Sequence, residues 1–298
     1  MLFFVLFLHK NWHNRQIFCI FAGQMRLSIK THNQLLDLSS PKVMAIVNIT
    51  LDSFYTSCGN LDINQLLDHV QSITLAGADM IDLGACSTRP GSTPVNAAEE
   101  WKRLAPALEA IRARFPQIII SVDTFRADIA EQAIQLGADI INDVYGGEAD
   151  NDIWKIVAKH QVPYILTHAQ AILKPSNHIP SNTMSQALDY LQKRLNQLHQ
   201  MGIADVMLDP GFGFAKTEQE NYDILRQLDI LSVLNAPVLV GISRKSMLYK
   251  PLKLTANDVL PATIAANTLA LERGAKILRV HDVAAAKQTI DIYSLTHK

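Results

Sequence analysis

The sequence predicts an α/β fold of the (β/α)8 TIM-barrel type, in one domain that spans residues 25–298. From Lys42 onward, eight short runs rich in Val and Ile alternate with longer amphipathic segments. Eight strand–helix pairs within roughly 250 residues are the pattern of such a barrel. A doubly wound open sheet is the alternative, although no G-x-G-x-x-G follows the first strand. Four faintly repeated segments each place a glycine where a helix must end before the next strand: Gly77, Gly137, Gly202 and Gly274.

The eight predicted strands are continuous apolar runs, which suits a parallel sheet buried on both faces. A helix predicted over 96–115 begins at Asn96, an N-cap residue with Glu99 three positions later. Pro106 predicts a kink or an interruption in that helix. The strand runs are 43–50, 80–85, 118–124, 139–144, 163–168, 205–211, 237–243 and 275–283.

Composition and charge limit the class of protein. The chain is 48% hydrophobic and 18% charged, so it can bury a large core and lies outside the range of disordered proteins. A net charge of −1 gives no reason to expect binding to nucleic acid. No apolar run reaches the ~18 residues of a membrane span. The three cysteines have no metal-ligand spacing, which favours a reducing compartment and predicts a cytoplasmic protein.

The first 24 residues differ from the rest of the chain in their pattern of apolar and charged residues. They open with eight consecutive apolar residues, and the first basic residue follows that run. A secretory signal has the reverse order, with positive charge before the apolar segment. We expect translation to start at Met25 and residues 1–24 to be a non-native or disordered extension. A short hydrophobic peripheral anchor is the alternative.

Polar residues collect where the predicted strands end. In this type of barrel the active site lies at the carboxyl ends of the strands. Burying so many polar groups would carry a desolvation cost unless they are paired or bind a ligand. Asp82 and Asp143 could equally hold the barrel rim together, and His168 is expected to be structural. The remaining strand-end residues are Asn48, Ser87, Thr88, Arg89, Asp123, Asn142, Asp209, Arg244, Lys245, Arg279 and His281.

Seven segments at these positions resemble dihydropteroate synthase, the folate-pathway enzyme that sulfonamides target. They are, in family order, VNITLDSF, GACSTRPG, SVDT, IIND, DPGFGF, GISRKSM and RVHDV, and the resemblance covers about residues 30–285. It implies a transferase that joins p-aminobenzoate to 6-hydroxymethyl-7,8-dihydropterin diphosphate. The products would be 7,8-dihydropteroate and pyrophosphate, and the family implies a homodimer.

The resemblance also assigns a pterin-binding role to several positions. Asp123, Asn142, Asp209 and Lys245 match the residues that bind the pterin. The carboxylate of Asp209 can accept two neighbouring donors of an amino-pyrimidine edge. Lys245 would donate to the ring carbonyl, and Phe214 would pack beside the pterin and the incoming arylamine.

Further positions match the diphosphate and p-aminobenzoate sites. Arg279 and His281 match the anion site, and Asn48 matches the residue that helps to hold Mg²⁺, the implied cofactor, on the diphosphate. Ser246 would bind the p-aminobenzoate carboxylate at the start of a helix. The two loops that shape this pocket are matched by Phe54 in the first and by Thr88, Arg89 and Pro90 in the second. Arg244 is expected to be a structural partner of a rim acid.

Four positions depart from the family pattern, three of them in the loops and the fourth, Ala169, where a methionine often covers the pterin. Leu51 stands in place of a proline, Thr56 in place of an acidic residue, Cys86 in place of a glutamate and Ala169 in place of a methionine. They leave open a catalytically weak, pterin-binding paralogue as an alternative. A pterin-dependent corrinoid methyltransferase is a further alternative, although STRPG and SRKS are not expected there. A Schiff base on Lys245, as in barrel aldolases, would leave the acids and the anion site without a purpose.

Overall fold

The computed structural model describes residues 28–31, 34–49, 54, 61–85, 95–169 and 183–297. The strands are β1 Ser28–Lys30, β2 Leu35–Asp37, β3 Lys42–Asn48, β4 Met80–Gly84, β5 Ile119–Asp123, β6 Ile140–Asp143, β7 Tyr164–Thr167, β8 Val206–Asp209, β9 Val238–Val240 and β10 Ala275–Val280. The α-helices are α1 Ile63–Leu75, α2 Ala97–Arg114, α3 Ala127–Gln135, α4 Ile153–His160, α5 Thr183–Gln200, α6 Glu218–Arg226, α7 Ser246–Tyr249, α8 Leu260–Glu272 and α9 Val283–Thr296. A 3₁₀ helix, Leu228–Leu234, precedes β9.

Strands β3 to β10 form a closed barrel of eight parallel strands. Each pairs with its neighbours in sequence, and β10 closes the ring by pairing with β3. Each barrel strand overlaps one of the eight predicted runs, so the predicted (β/α)8 barrel is confirmed and the open-sheet alternative is wrong. The four helix-ending glycines all have positive φ, from 83° to 103°, which the absence of a Cβ makes inexpensive.

The interior of the barrel has an apolar layer near the amino ends of the strands. Each of the eight strands contributes one side chain to it, and all eight are at most 2% exposed. The layer consists of Met44, Met80, Ile119, Ile140, Ile165, Met207, Leu239 and Ile277.

A small antiparallel hairpin of β1 and β2 closes this end of the barrel. Its residues Ile29 and Leu36 are paired across the hairpin, and both belong to the same buried cluster as the apolar layer, as does Leu38. The sequence reasoning missed the hairpin, because strands of three residues carry too little pattern to be detected.

A polar layer lies two residues further along the same strands. Side chains two apart on a strand point to the same side, so this layer also faces the interior, towards the carboxyl ends. Ile46 and Gly241 occupy the positions contributed by β3 and β9. The other six positions carry polar side chains: Asp82, Ser121, Asn142, Thr167, Asp209 and Arg279. On these six strands, the side chain that faces the interior therefore changes from apolar to polar within two residues.

Helix α2 corrects one expectation. It runs from Ala97 to Arg114 with Pro106 inside it, so the predicted interruption is absent. Its buried face includes Leu104 and Leu108, and this burial offsets the backbone hydrogen bond that proline cannot make. Asn96 caps the helix as predicted, accepting the backbone N–H of Glu99 at 2.9 Å.

No helix within the described ranges is both long and apolar enough to cross a membrane. The predicted extension over residues 1–24 lies outside the described residues.

Candidate active site

A network of two acids and one cation joins the polar layer to Asp123, which lies two residues beyond Ser121 on β5. Arg279 donates from Nε to Asp82 Oδ2 at 2.6 Å and from Nη2 to Asp123 Oδ2 at 3.0 Å. Asp82 also accepts the hydroxyl of Ser121 at 2.6 Å and the amide of Asn142 at 3.0 Å. Asp82 is completely buried, so its role in this network is to hold the guanidinium and the amide in place. This agrees with the structural role considered for it from the sequence.

The network has one more carboxylate than cations, and the pKa values reflect it. Burial, and then repulsion from Asp82, raise the pKa of Asp123 to about 7, although Arg279 opposes both effects. Burial acts to lower the pKa of Arg279, but the charges of Asp82 and Asp123 outweigh it and leave that pKa above its ordinary value. Asp123 therefore takes up or releases a proton near neutral pH, whereas the guanidinium stays charged.

Lys245 and Phe214, which the resemblance assigns to the pterin site, lie together. The ammonium of Lys245 is 4.7 Å from the centroid of the Phe214 ring and donates to the backbone carbonyl of Phe212. Burial lowers the pKa of Lys245 to about 8, with Asp209 acting in the opposite direction. Burial also raises the pKa of Asp209, and Lys245 opposes that shift. The lysine, the carboxylate and the aromatic ring form one side of the barrel mouth.

The glycine-rich loop after β8 is held by polar side chains. Asp209 Oδ1 accepts the N–H of Gly211 at 2.7 Å. Gly211 has φ +71°, and a Cβ there would lie 2.2 Å from the carbonyl oxygen of His168, so only glycine fits. Lys216 donates to the carbonyls of both His168 and Gly211, each at 2.8 Å. The loop is thus tied to β7 and to the acid at the end of β8.

Lys216 was missed in the sequence reasoning. Burial lowers its pKa to about 7, against the opposing charge of Asp209. The available signal was a lysine two residues after the DPGFGF segment, which is a position from which a flexible amine can reach the loop carbonyls. Buried lysines with lowered pKa values are common at functional sites.

Asn48 and Asp123 face each other across Gly84. The register pairs Asn48 with Gly84 and Gly84 with Asp123. A Cβ at Gly84 would lie 3.6 Å from Asn48 Oδ1 and 3.5 Å from Asp123 Cβ. Among the described residues, no group of three His, Cys, Asp or Glu side chains could hold a metal ion.

The predicted anion residues have different surroundings. Arg279 is engaged by its two acids, whereas His281 lies just past the end of β10 and is exposed. The Oγ of Ser243 is 3.1 Å from His281 Nδ1 and accepts the backbone N–H of His281 at 3.2 Å. Arg244 pairs with Asp282 through two bonds of 2.9 and 2.5 Å. The expectation that Arg244 has an acidic structural partner is confirmed.

Two strand-end residues have structural roles. Asp143 accepts the hydroxyl of Tyr164 and the N–H of Gly147, each at 2.7 Å, which agrees with the structural alternative stated for it. The His168 ring lies 5.2 Å from the ring of Tyr190, and burial lowers the pKa of His168 to about 3. The lowered pKa and the packing on Tyr190 agree with the structural role expected for His168, and its Nδ1 has no hydrogen-bond partner among the described residues.

The loop residues are only partly described. Phe54 is 8% exposed, belongs to the main hydrophobic core and has its ring 5.4 Å from that of His69. In this structure it anchors the first loop, and a substrate contact stays a prediction. Ser246 begins α7 directly after Lys245. Outside the described residues lie Thr88, Arg89 and Pro90, together with the substituted positions Leu51, Thr56 and Cys86.

Comparisons with known proteins agree with this geometry. The family model described as "Pterin binding enzyme" matches residues 44–281. Dihydropteroate synthase of Haemophilus influenzae is 35% identical over 274 residues, covering 91% of this chain and 99% of the relative. That of Clostridium beijerinckii is 38% identical over 254 residues, covering 83% and 92%.

Solved structures are similar over the same length. The Xanthomonas albilineans dihydropteroate synthase with 4-aminobenzoic acid has a TM-score of 0.85 at 32% identity, covering 91% of this chain and 98% of that one. The Yersinia pestis enzyme in a sulfonamide drug complex has a TM-score of 0.83 at 35% identity, covering 91% and 99%. The alternatives of a paralogue or a methyltransferase are not favoured by these relatives. The chain belongs to the dihydropteroate synthase family of pterin-binding enzymes, which are transferases of folate biosynthesis.

Proposed function

We propose that the polar layer and the loops above it are where this chain carries out dihydropteroate synthesis. In that reaction p-aminobenzoate displaces pyrophosphate from 6-hydroxymethyl-7,8-dihydropterin diphosphate. The observation that carries the assignment is the joining of Asp82, Asp123, Asn142 and Arg279 in one buried network, next to Asp209 and Lys245. Such a density of charge inside a barrel is expensive without a polar ligand to bind.

The pterin binds to the acids and the lysine. Asp209 accepts donors of the amino-pyrimidine edge, and Asp123 and Asn142 complete the contacts around the ring. On binding, Lys245 exchanges the Phe212 carbonyl for the carbonyl of the pterin, so the ammonium has a hydrogen-bond acceptor before and after binding. The ring of Phe214, already beside the ammonium, packs against the bound ligand.

The chemistry at the methylene carbon needs no protein nucleophile. As the C–O bond to the diphosphate breaks, positive charge develops on the pterin methylene and negative charge on pyrophosphate. The nitrogen of p-aminobenzoate forms the new C–N bond and its proton leaves to solvent. His281 and Arg279 stabilise the departing pyrophosphate, because hydrogen-bond donors held in place before the reaction are already oriented towards the charge that develops there.

A magnesium ion fits the residues around Asn48. An amide oxygen is a hard ligand, and Mg²⁺ commonly binds through one or two protein groups together with phosphate oxygens and water. Gly84 has no side chain to cover the Asn48 oxygen, which would lie 3.6 Å from a Cβ at that position. When bound, the ion would neutralise charge on the diphosphate.

The second substrate binds nearer the loops. Ser246, at the start of α7, takes the carboxylate of p-aminobenzoate. Phe54, Thr88, Arg89 and Pro90 shape the pocket around its ring. The bound 4-aminobenzoic acid in the Xanthomonas albilineans relative supports a p-aminobenzoate site in this chain.

The chain functions as a cytoplasmic homodimer. Helix α8 supports dimerisation, because its exposed side includes Pro261, Ile264, Ala265 and Leu269, the last 53% exposed. A second copy of the chain would cover this apolar side. Sedimentation should give the mass of a dimer for the wild type and of a monomer for Leu269→Glu. A monomeric wild type would contradict the homodimer.

The activity is tested by pyrophosphate release from protein that begins at Met25. The assay contains Mg²⁺ and the dihydropterin diphosphate, with and without p-aminobenzoate. We expect release that depends on p-aminobenzoate and that falls at least about 100-fold in Lys245→Ala, since both the pterin carbonyl and the aryl ring lose a contact. Lys250→Ala, an exposed lysine nearby, is the matched control. Tight pterin binding without release would favour the weak paralogue instead.

A further inference from the structure

Thr167 belongs to the polar layer, but it has no role in the buried network or in the proposed ligand contacts. It is the last residue of β7, pairs in register with Asp209 and lies two residues beyond Ile165 of the apolar layer. Its side chain therefore points into the barrel beside the Asp209 carboxylate. The residue is 1% exposed, so its hydroxyl is withdrawn from solvent.

The hydroxyl of Thr167 has no hydrogen-bond partner among the described residues. The other hydroxyl of the layer, on Ser121, donates to Asp82, and Asn142 donates to the same carboxylate. Most buried polar groups are paired, and an unpaired one carries the cost of its desolvation. Valine has nearly the same shape and would fill this position without that cost. A threonine here therefore indicates a polar partner that arrives with the substrate.

We propose that the Thr167 hydroxyl binds the pterin ring beside Asp209 and is a specificity-determining residue for the amino-pyrimidine class of ligand. The inference rests on the proposed function, because it takes Asp209 as the acid that accepts the pterin donors. A carboxylate that accepts the ring N–H and one hydrogen of the exocyclic amine leaves the second hydrogen of that amine for another acceptor. A neighbouring hydroxyl oxygen is able to accept it.

The competing explanation is a structural water held by Thr167 and nearby backbone groups. It predicts the opposite pattern of effects. If the hydroxyl serves the fold, its loss destabilises the protein and leaves substrate affinity unchanged. If it serves the ligand, its loss weakens pterin binding and leaves the free protein as stable as before, or more stable, since an unpaired buried group has been removed.

The test compares Thr167→Val, which keeps the shape, with Thr167→Ser, which keeps the hydroxyl. Calorimetry measures the Kd of 6-hydroxymethyl-7,8-dihydropterin diphosphate with Mg²⁺, and thermal melts without substrate report stability. The loss of one buried hydrogen bond predicts a Kd about tenfold higher in Thr167→Val and within about threefold of the wild type in Thr167→Ser. The KM for p-aminobenzoate should change in neither variant, and the melting temperature of Thr167→Val should not fall.

Two results would overturn the proposal, and they differ from failure of the proposed function. An unchanged Kd in Thr167→Val, with a lowered melting temperature, assigns the hydroxyl to the fold. Equal loss of affinity in both variants assigns the effect to packing and not to the hydroxyl. A wild type that does not bind the dihydropterin diphosphate at all would contradict the proposed function and this inference together.

Discussion

The apolar and polar layers of the barrel interior lie on the same strands, two residues apart, and do different work. The apolar layer is fully buried and closed from below by the β1–β2 hairpin, so it contributes stability through burial alone. In the polar layer, Arg279 lies within hydrogen-bond distance of Asp82 and of Asp123, which is two residues beyond the layer on β5. Burial of these charges carries a desolvation cost, which their mutual pairing offsets. The comparison shows that the apolar side chains supply stability, whereas the polar side chains two residues further along the same strands supply the groups for the chemistry.

Substitutions in strand β10 test the different roles of the two layers most strongly and have the largest expected effect. Arg279→Met should lower pyrophosphate release at least about 1,000-fold and destabilise the protein by about 3 kcal/mol, because two buried carboxylates lose their cation. Ile277→Val, two residues below on the same strand, should cost about 1 kcal/mol and leave activity unchanged. Urea denaturation and the release assay measure both. Retained activity in Arg279→Met would contradict the division between the layers.

Substitution of Lys216, the lysine that holds the glycine-rich loop, should have a smaller effect, and its effect on stability should depend on pH. The pKa of Lys216 is lowered to about 7 in the folded protein, below the ordinary 10.5. Its burial therefore destabilises the fold fully below pH 7, and this cost disappears as the pH rises towards 10.5. The stability of Lys216→Met relative to the wild type should accordingly fall between pH 7 and pH 10.

Denaturation at several pH values measures this slope, with Lys102→Met, an exposed position on α2, as the control for lysine removal. We also expect Lys216→Met to lower kcat/KM about tenfold at every pH, because the loop carbonyls lose their donor. A pH-independent difference in stability would show that Lys216 does not titrate in this range.

Substitution of Gly84, which lies on β4 two residues beyond Asp82 of the polar layer, has the smallest expected effect. The methyl group of Gly84→Ala would touch Asn48 and Asp123 at ordinary van der Waals distances, so folding should be almost unaffected. It would narrow the space between the two side chains, and we expect the KM for the pterin diphosphate to rise about threefold to tenfold. Gly241→Ala, whose methyl lies 3.9 Å from Arg279, is the matched control and should show a smaller effect. Equal effects of both variants would argue that the space beside Asn48 is not used.

Sequence reasoning could find the barrel and the polar strand ends because both are periodic and local. The eight strand runs and the helix-ending glycines were found from pattern alone, and Arg244 was expected to have an acidic partner. The network itself could not be found in this way, since Arg279 meets Asp82 across 197 residues of sequence. Lys216 and Thr167 were missed for the same reason, because their roles depend on contacts that form only when the chain folds.

The most direct test of the account uses strand β8, where Met207 belongs to the apolar layer and Asp209 to the polar one. Pyrophosphate release, dependent on p-aminobenzoate, is measured for the wild type, Met207→Leu and Asp209→Asn. The account predicts that Met207→Leu keeps nearly full activity and that Asp209→Asn, while still folded, loses at least about 100-fold, because an amide cannot accept two adjacent donors. Equal activity in the two variants would contradict the account.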